Sequence, residues 1–438
     1  MSVLSSALRS LEQIVGEEHL VSATEAVSAY GLEGQRPVAV AMPESREQVA
    51  ELLRLASEQR LSVLLRGSGT HLYLGQAPGP IGLVLSLGRL NRIVEYDADD
   101  LTVTAEAGVT LGELQRVVGD QGQMLPLDPP GPDSATLGGI AATNLAGPMR
   151  MRHGTPRDVV LGLRVALTDG TIVKTGGKTV KNVAGYELNK LFVGSLGTLG
   201  AICQLTVRLT PVPEAKAIMV SSLPPSEAGA LAAKLAASQL ELATLEVANH
   251  AACGKMRALL PVTVESGRHV VFAGLMADRE AVARQEREVR ALAGDGCGRV
   301  DEEVAGEVWG TLRSAAYTSE PGAVVARASV PMSGAAAIME MVSSWEGWSA
   351  IARAGSGLIY ARLERTDDLP EISQKLVTLR RHSQDMGGFT VLEAGPVGLK
   401  RAFPVWGEEM GNLDLMRGLK QSLDPAGILG CGRLLSGQ

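Results

Sequence analysis

Three runs of small residues limit this chain more than any other feature: Gly67-Ser68-Gly69, Ser134-Ala135-Thr136-Leu137-Gly138-Gly139 and Gly194-Ser195-Leu196-Gly197-Thr198-Leu199-Gly200. Glycine costs backbone entropy on folding, so repeated glycines mark places where main chain must come close to something or adopt a positive φ. The first run follows a strand expected over 61–65. It fails the Rossmann fingerprint, because Leu72 stands where the third glycine belongs and Gly75, Pro78, Gly79 and Pro80 prevent a following helix. A P-loop ending at Gly177-Lys178-Thr179 fails too, with Ile172 in place of its first glycine. The second run opens a helix expected over 135–144 with Ser134 as N-cap, where exposed N–H groups and the helix dipole favour an anion. The third run turns into a strand expected over 201–209. Together they predict main chain packed closely around something long and polar.

At 438 residues the chain exceeds one comfortable core, and two domains are expected. Capping boxes at Ser45/Gln48 and Thr110/Glu113 start helices, and Val49, Leu52, Leu53 and Ala56 give the first of these an apolar stripe. Strands are expected over 38–40, 93–96, 101–107 and 124–127, and a hairpin over 163–174 turns at Asp169-Gly170. Thr210-Pro211-Val212-Pro213 ends this region, so a first domain is expected over 1–213. Beyond it, strands over 217–222, 242–248 and 270–275 alternate with helices over 226 onward and 279–292. A similar succession recurs over 323–394, predicting an α+β domain over 214–394 with an antiparallel sheet in two related halves. A last segment over 395–438 contains a helix over 411–423.

A net charge of -7 removes the basic footprint that nucleic acid binding needs. Arg9, Glu12, Glu17 and Glu18 interrupt the first twenty residues, so export is not indicated and a cytoplasmic location is expected. No apolar stretch reaches membrane-spanning length, which leaves membrane contact at most peripheral, through partners. Cys203, Cys253, Cys297 and Cys431 are far apart and read as reduced, structural thiols without zinc or cluster spacing.

The chain resembles the FAD-linked oxidases that include vanillyl-alcohol oxidase and p-cresol methylhydroxylase. The matching residues are Arg66-Gly67-Ser68-Gly69-Thr70, Pro132-Asp133-Ser134-Ala135-Thr136-Leu137-Gly138-Gly139, Gly154-Thr155-Pro156-Arg157-Asp158, Gly194 to Gly200, and the closing Leu423-Asp424-Pro425-Ala426-Gly427-Ile428-Leu429 with Gly432-Arg433. Lys178-Thr179-Val180-Lys181-Asn182-Val183-Ala184-Gly185-Tyr186-Glu187-Leu188 is similar, within that family, to the FAD-binding E subunit of bacterial glycolate oxidase. The resemblance implies a p-cresol methylhydroxylase-type FAD domain of two α/β subdomains, an α+β cap, and a C-terminal segment that returns to the FAD domain. It implies that Arg66 to Thr70 and Ser134 to Gly139 hold the pyrophosphate and approach the flavin. It further implies that Gly197, Thr198, Gly200, Ala201 and Ile202 line the adenine end, with Gly154, Arg157, Asp158 and Lys181 also at the cofactor. Some relatives tether FAD through a histidine at the position of Thr70. Here His71 is displaced by one residue, so non-covalent FAD is expected, with His71 as tether the alternative. Cys431 stands where relatives usually have proline, which predicts a different final turn.

The resemblance also implies oxidation of glycolate or a related 2-hydroxy acid, beside a second FAD-binding subunit and an iron–sulfur subunit. The related D-2-hydroxy-acid dehydrogenases carry a histidine-rich metal motif that this chain lacks, since His250, His269 and His382 are isolated. A flavin needs a group to orient the substrate carboxylate and a base for the hydroxyl proton. Arg327 and Arg362, on expected strands, are candidates for the first, with sheet-face salt bridges as the alternative. Lys178 and Lys181 are candidates to set positive charge near a flavin, with solvated loop lysines as the alternative. Tyr186 reads as a packing residue of the following helix. Three functions stay open: a catalytic subunit, a structural or electron-relay flavin subunit, and a free-standing FAD-dependent alcohol oxidase.

Overall fold

The computed structural model describes residues 3–178, 186–320, 322–365, 368–407 and 411–434. A four-stranded sheet runs in the order Leu20–Val21, Ala39–Ala41, Leu83–Ser86, Val63–Arg66, its last three strands parallel. The helix Arg46–Glu58 covers it, capped by the Ser45 side chain accepting from Gln48 N. Val49, Leu52, Leu53 and Ala56 are fully buried there, with Leu11 of the N-terminal helix packed alongside. A five-stranded antiparallel sheet follows in the order Ile93–Asp97, Thr102–Glu106, Ala201–Arg208, Val160–Ala166, Ile172–Gly176. Ala166, Ala201 and Cys203 belong to this second sheet yet pack into the core of the first. Small side chains at that seam bring the two sheets together, and a larger residue there would hold them apart.

The third sheet has eight antiparallel strands in the order Cys297–Arg299, Ala215–Leu223, His269–Ala277, Thr244–Asn249, Ser349–Arg353, Leu358–Leu363, Val324–Ser329, Phe389–Ala394. Each half is a strand-helix-strand-strand-helix-strand unit with spatial order 4-1-3-2, and the second strands of the two units pair at the centre. The helices Pro225–Ala236, Arg279–Ala293, Ala335–Ser343 and Leu369–Asp385 cover one face and share one apolar core with it.

The C-terminal tail lies along the first sheet. Val63 N donates to Ile428 O at 2.7 Å and Gly430 N donates to Val63 O at 3.1 Å, while the Asp424 carboxylate accepts from Ile428 N and Leu429 N. Cys431 sits at φ 48, in the left-handed region that the fixed ring of proline cannot enter.

Three local expectations need correction. The helix after the second small-residue run begins at Leu137, its cap is Thr136, and Ser134 is exposed. The cause is pairing. Leu111 N and Gly112 N donate to Ala135 O and Asp133 O, and a bridge joins Thr110 to Thr136, so 133–136 is held extended. The strand expected over 124–127 is only Gln123–Met124. Pro126 has no N–H, and the Gln115 side chain takes both polar groups of Leu125. Tyr186 is 92% exposed and so is not a packing residue of the following helix, Asn189–Phe192.

Candidate cofactor site and domain interface

Arg66, Gly67, Thr136, Gly138, Gly139, Gly197, Gly200 and Ile202 line one cavity, so the three small-residue runs meet. Leu65, Leu87, Ala107, Ala142 and Leu196 complete its wall. The contacts require glycine. A Cβ on Gly67 would lie 2.1 Å from Thr136 Oγ1, one on Gly138 would lie 2.7 Å from Ala107 Cβ, and one on Gly200 would lie 2.7 Å from Val165 Cγ1. Gly197, at φ 70, rests over the Leu65 side chain.

The available donors are not where the sequence places them. Leu137 N and Gly138 N, at the helix start, are taken by Val109 O and Ala107 O, and Gly139 N by Thr136 Oγ1. Among the described residues the amides of Ser68, Gly69 and Thr70 meet no acceptor. Consecutive unsatisfied N–H groups in a glycine loop form an anion-binding concavity. The residues present therefore fit a dinucleotide, with its phosphates on the first loop and bare main chain of the other two runs against its length. Arg66 lies on the cavity edge with its guanidinium 4.9 Å from the centre of the Tyr30 ring, and burial lowers its pKa.

Other sequence-predicted residues lie around this cradle rather than in it. Pro132, Asp133 and Ser134 are exposed, with Asp133 paired to Arg313 at 2.9 Å. Leu137 and Ala201 are core residues. Gly154 allows the turn before Thr155, and Asp158 Oδ2 accepts from Thr155 N and Oγ1 in a capping box. Arg157 donates to Lys190 O, and with Thr198 it lines a second, larger cavity walled by Leu191, Met416 and Leu419. Lys178 pairs with Glu95, and Lys181 lies outside the described residues.

His71 is buried. Its Nε2 lies 2.7 Å from the Pro130 carbonyl and must donate, which leaves Nδ1 to accept from the Thr70 hydroxyl at 3.1 Å. Burial lowers its pKa, so the ring is neutral with both nitrogens engaged. The loop then drives Tyr73 onto the face of the eight-stranded sheet, against Val325, Leu358 and Tyr360. The rings of His71, Tyr73 and Tyr317 stand 6.0–6.1 Å apart, and Tyr317 rests on Gly131, which has no Cβ to obstruct it. This aromatic cluster joins the cradle to the eight-stranded sheet.

Beside it lies a buried charged group that sequence reasoning missed. Register sets Glu246 opposite Arg353 on the central strand pair, and the two side chains, each 1% exposed, meet at 3.4 Å. Asp128 approaches from the segment that follows Gln123–Met124, accepting from Met149 N at 3.1 Å and from Trp309 Nε1 at 3.2 Å. Burial pushes Asp128 and Glu246 each up to about 7, with the charge of Arg353 opposing. The sequence candidates Arg327 and Arg362 hold protein groups: Arg327 pairs with Glu393 at 2.5 Å, and Arg362 donates to Tyr317 O and pairs with Glu364. His250, His269 and His382 contact Arg257, Ser343 and Thr378 O respectively, in three separate places. Among the described residues no three His, Cys, Asp or Glu side chains form a metal-binding group. No described helix is long and apolar enough to cross a membrane.

Residues 37–176 match the family model described as an FAD binding domain. Glycolate oxidase subunit GlcD of Bacillus subtilis is 30% identical over 91% of this chain and 89% of its own length. The probable mitochondrial D-lactate dehydrogenase of Danio rerio is 33% identical over 91% of this chain and 84% of its own. The solved structure of p-cresol methylhydroxylase with substrate bound superposes with a TM-score of 0.76 at 16% identity, over 98% of this chain and 96% of that one, which shows a shared fold. With its cradle, its cap and these relatives, the chain belongs to the FAD-linked oxidoreductases, and it is an FAD-dependent enzyme on the p-cresol methylhydroxylase-type fold.

Proposed function

We propose that this chain holds FAD non-covalently and takes part in oxidising a small 2-hydroxy acid, glycolate or D-lactate by analogy with its relatives, as one subunit of a complex. The observation that carries this reading is the meeting of the three glycine runs around one cavity beside the unsatisfied amides of Ser68, Gly69 and Thr70. Bound FAD supplies a two-electron acceptor for the hydride of a carbinol carbon. The main chain of Gly67–Thr70, Gly138–Gly139 and Gly197–Gly200 holds the dinucleotide, and Tyr73 and Tyr317 help to close the route from solvent. His71 keeps its proton on Nε2 toward Pro130 O and orients the loop, which leaves it no free nitrogen for a tether. The partners are a second FAD-binding subunit and an iron–sulfur subunit, with the assembly in the cytoplasm.

A second reading, an electron-relay subunit whose partner flavoprotein does the substrate chemistry, is favoured by one observation. The three histidines singled out in the sequence are tied down in separate places, so they make no common clamp for a substrate. Anaerobic mixing of the purified chain with glycolate and with D-lactate separates the two. Bleaching of the flavin absorbance without partners supports the catalytic subunit, and a yellow colour that persists until the partner flavoprotein is added supports the relay.

A further inference from the structure

The segment from Gly147 to His153 is clamped between the two domains. A Cβ on Gly147 would lie 1.8 Å from Asp128 O, and the Asp128 carboxylate holds Met149 N from the other side. Met149 is buried with Ala243 and Met276, and Met151 packs against Gly355. Arg152 donates to Met276 O at 2.7 Å and pairs with Glu241. Arg150 differs from these neighbours. It is half-buried beside Tyr360, Arg327 and Arg353, and among the described residues no hydrogen-bond acceptor or carboxylate meets its guanidinium.

The local charge count sharpens this. Arg327 is neutralised by Glu393, and Arg353 by Glu246 with Asp128 nearby. The other carboxylate close to Arg150, Asp158, is committed to its capping box. A guanidinium is costly to desolvate without an anion and offers a planar fork that matches a carboxylate. The contacts of Gly147, Met149, Met151 and Arg152 hold the turn that carries it, so its backbone is in place before any ligand arrives.

We infer that Arg150 is the anchor for the substrate carboxylate, reaching from the helix Arg150–His153 toward the eight-stranded sheet, in the place that the sequence gives to Arg327 or Arg362. This rests on the 2-hydroxy-acid reading above. It makes the anchor a residue of the FAD domain, so the carboxylate is oriented by the same unit that holds the flavin. Arg327 and Arg353, each already paired with a carboxylate, leave Arg150 as the cation open to the ligand.

The test uses the FAD-loaded full chain as wild type, Arg150→Met and Arg150→Lys. Each is titrated anaerobically with oxalate and glycolate, with flavin absorbance as the readout and FAD content and melting temperature as controls. Loss of a charge-assisted fork predicts carboxylate affinity weaker by roughly 10- to 100-fold in Arg150→Met, an intermediate loss in Arg150→Lys, and unchanged FAD content. Partial recovery of Arg150→Met by added guanidinium, and not by sodium at equal ionic strength, is expected of an anchor and not of a packing residue. Equal carboxylate affinity in wild type and Arg150→Met overturns the assignment of Arg150 alone. A fall in FAD content with carboxylate affinity intact also overturns it, and reassigns Arg150 to the cofactor. Failure of the wild type to respond to either carboxylate overturns the 2-hydroxy-acid reading together with the anchor.

Discussion

The two halves of the site are built on opposite principles. The cradle is made by leaving side chains out: Gly67, Gly138 and Gly200 sit where a single added carbon collides with Thr136, Ala107 or Val165. The interface is made by putting charge in, with Arg353, Glu246 and Asp128 buried where the two domains meet. A cavity walled by main chain tolerates almost no substitution but needs little electrostatic compensation. A buried ion pair stands only while every partner is present, because removal of one leaves another charged and dry. The first design suits a ligand held the same way throughout. The second suits a junction between two domains.

The largest effect expected from this contrast is at Arg353. Arg353→Ala strands Glu246 in the sheet centre and is expected to destabilise the cap by about 3–5 kcal/mol, read as a fall in denaturant midpoint. Adding Glu246→Gln to Arg353→Ala is expected to recover part of the loss. A single variant as stable as wild type would show that the pair is not what holds the central strands together.

Next is the cradle. Gly138→Val places a branched side chain against Ala107 and is expected to cost about 1–3 kcal/mol of FAD binding, roughly 5- to 150-fold in affinity, with the cap unaffected. Comparison of FAD content and of cap unfolding in the two sets of variants breaks the contrast if each change damages both regions equally.

A third effect concerns protons. Asp128 is raised by burial from 3.8 to about 7, so between those values the folded chain keeps a proton that the unfolded chain has released. Its contribution to stability is therefore lost as pH rises from about 4 to about 7. Asp128→Asn removes this term while keeping an acceptor for Met149 N and Trp309. The melting temperature of the variant relative to wild type is expected to rise across that window and to level off above it. A constant difference would mean that Asp128 titrates normally.

The cradle was legible in the sequence because close backbone approach leaves a local signature, glycine. Its wiring was not. Ser134 looks like a helix cap until the pairing of Asp133 and Ala135 with Gly112 and Leu111 is known, and the helix amides themselves go to Val109 O, Ala107 O and Thr136 Oγ1, away from any ligand. The repeated element order predicted two related halves, and the eight-stranded sheet has that arrangement, since alternating strands and amphipathic helices are local patterns. The charged junction was invisible. Asp128, Glu246 and Arg353 are far apart in the chain, and only the register of the central strands brings Glu246 opposite Arg353. Arg327 and Arg362 read as carboxylate anchors because they lie on expected strands, but strand pairing sets Glu393, 66 residues away, against Arg327, and Arg362 is held by Glu364 two residues along and by Tyr317 O.

The central claim is that the first small-residue loop supplies the donors and the other two runs the bare walls of one FAD site. A crystal structure of the FAD-loaded chain tests it most directly. The account predicts pyrophosphate oxygens within hydrogen-bond distance of the Ser68, Gly69 and Thr70 amides, with the dinucleotide running past Gly138 and Gly197. A pyrophosphate found instead in the cavity walled by Lys190, Met416 and Leu419 would contradict it.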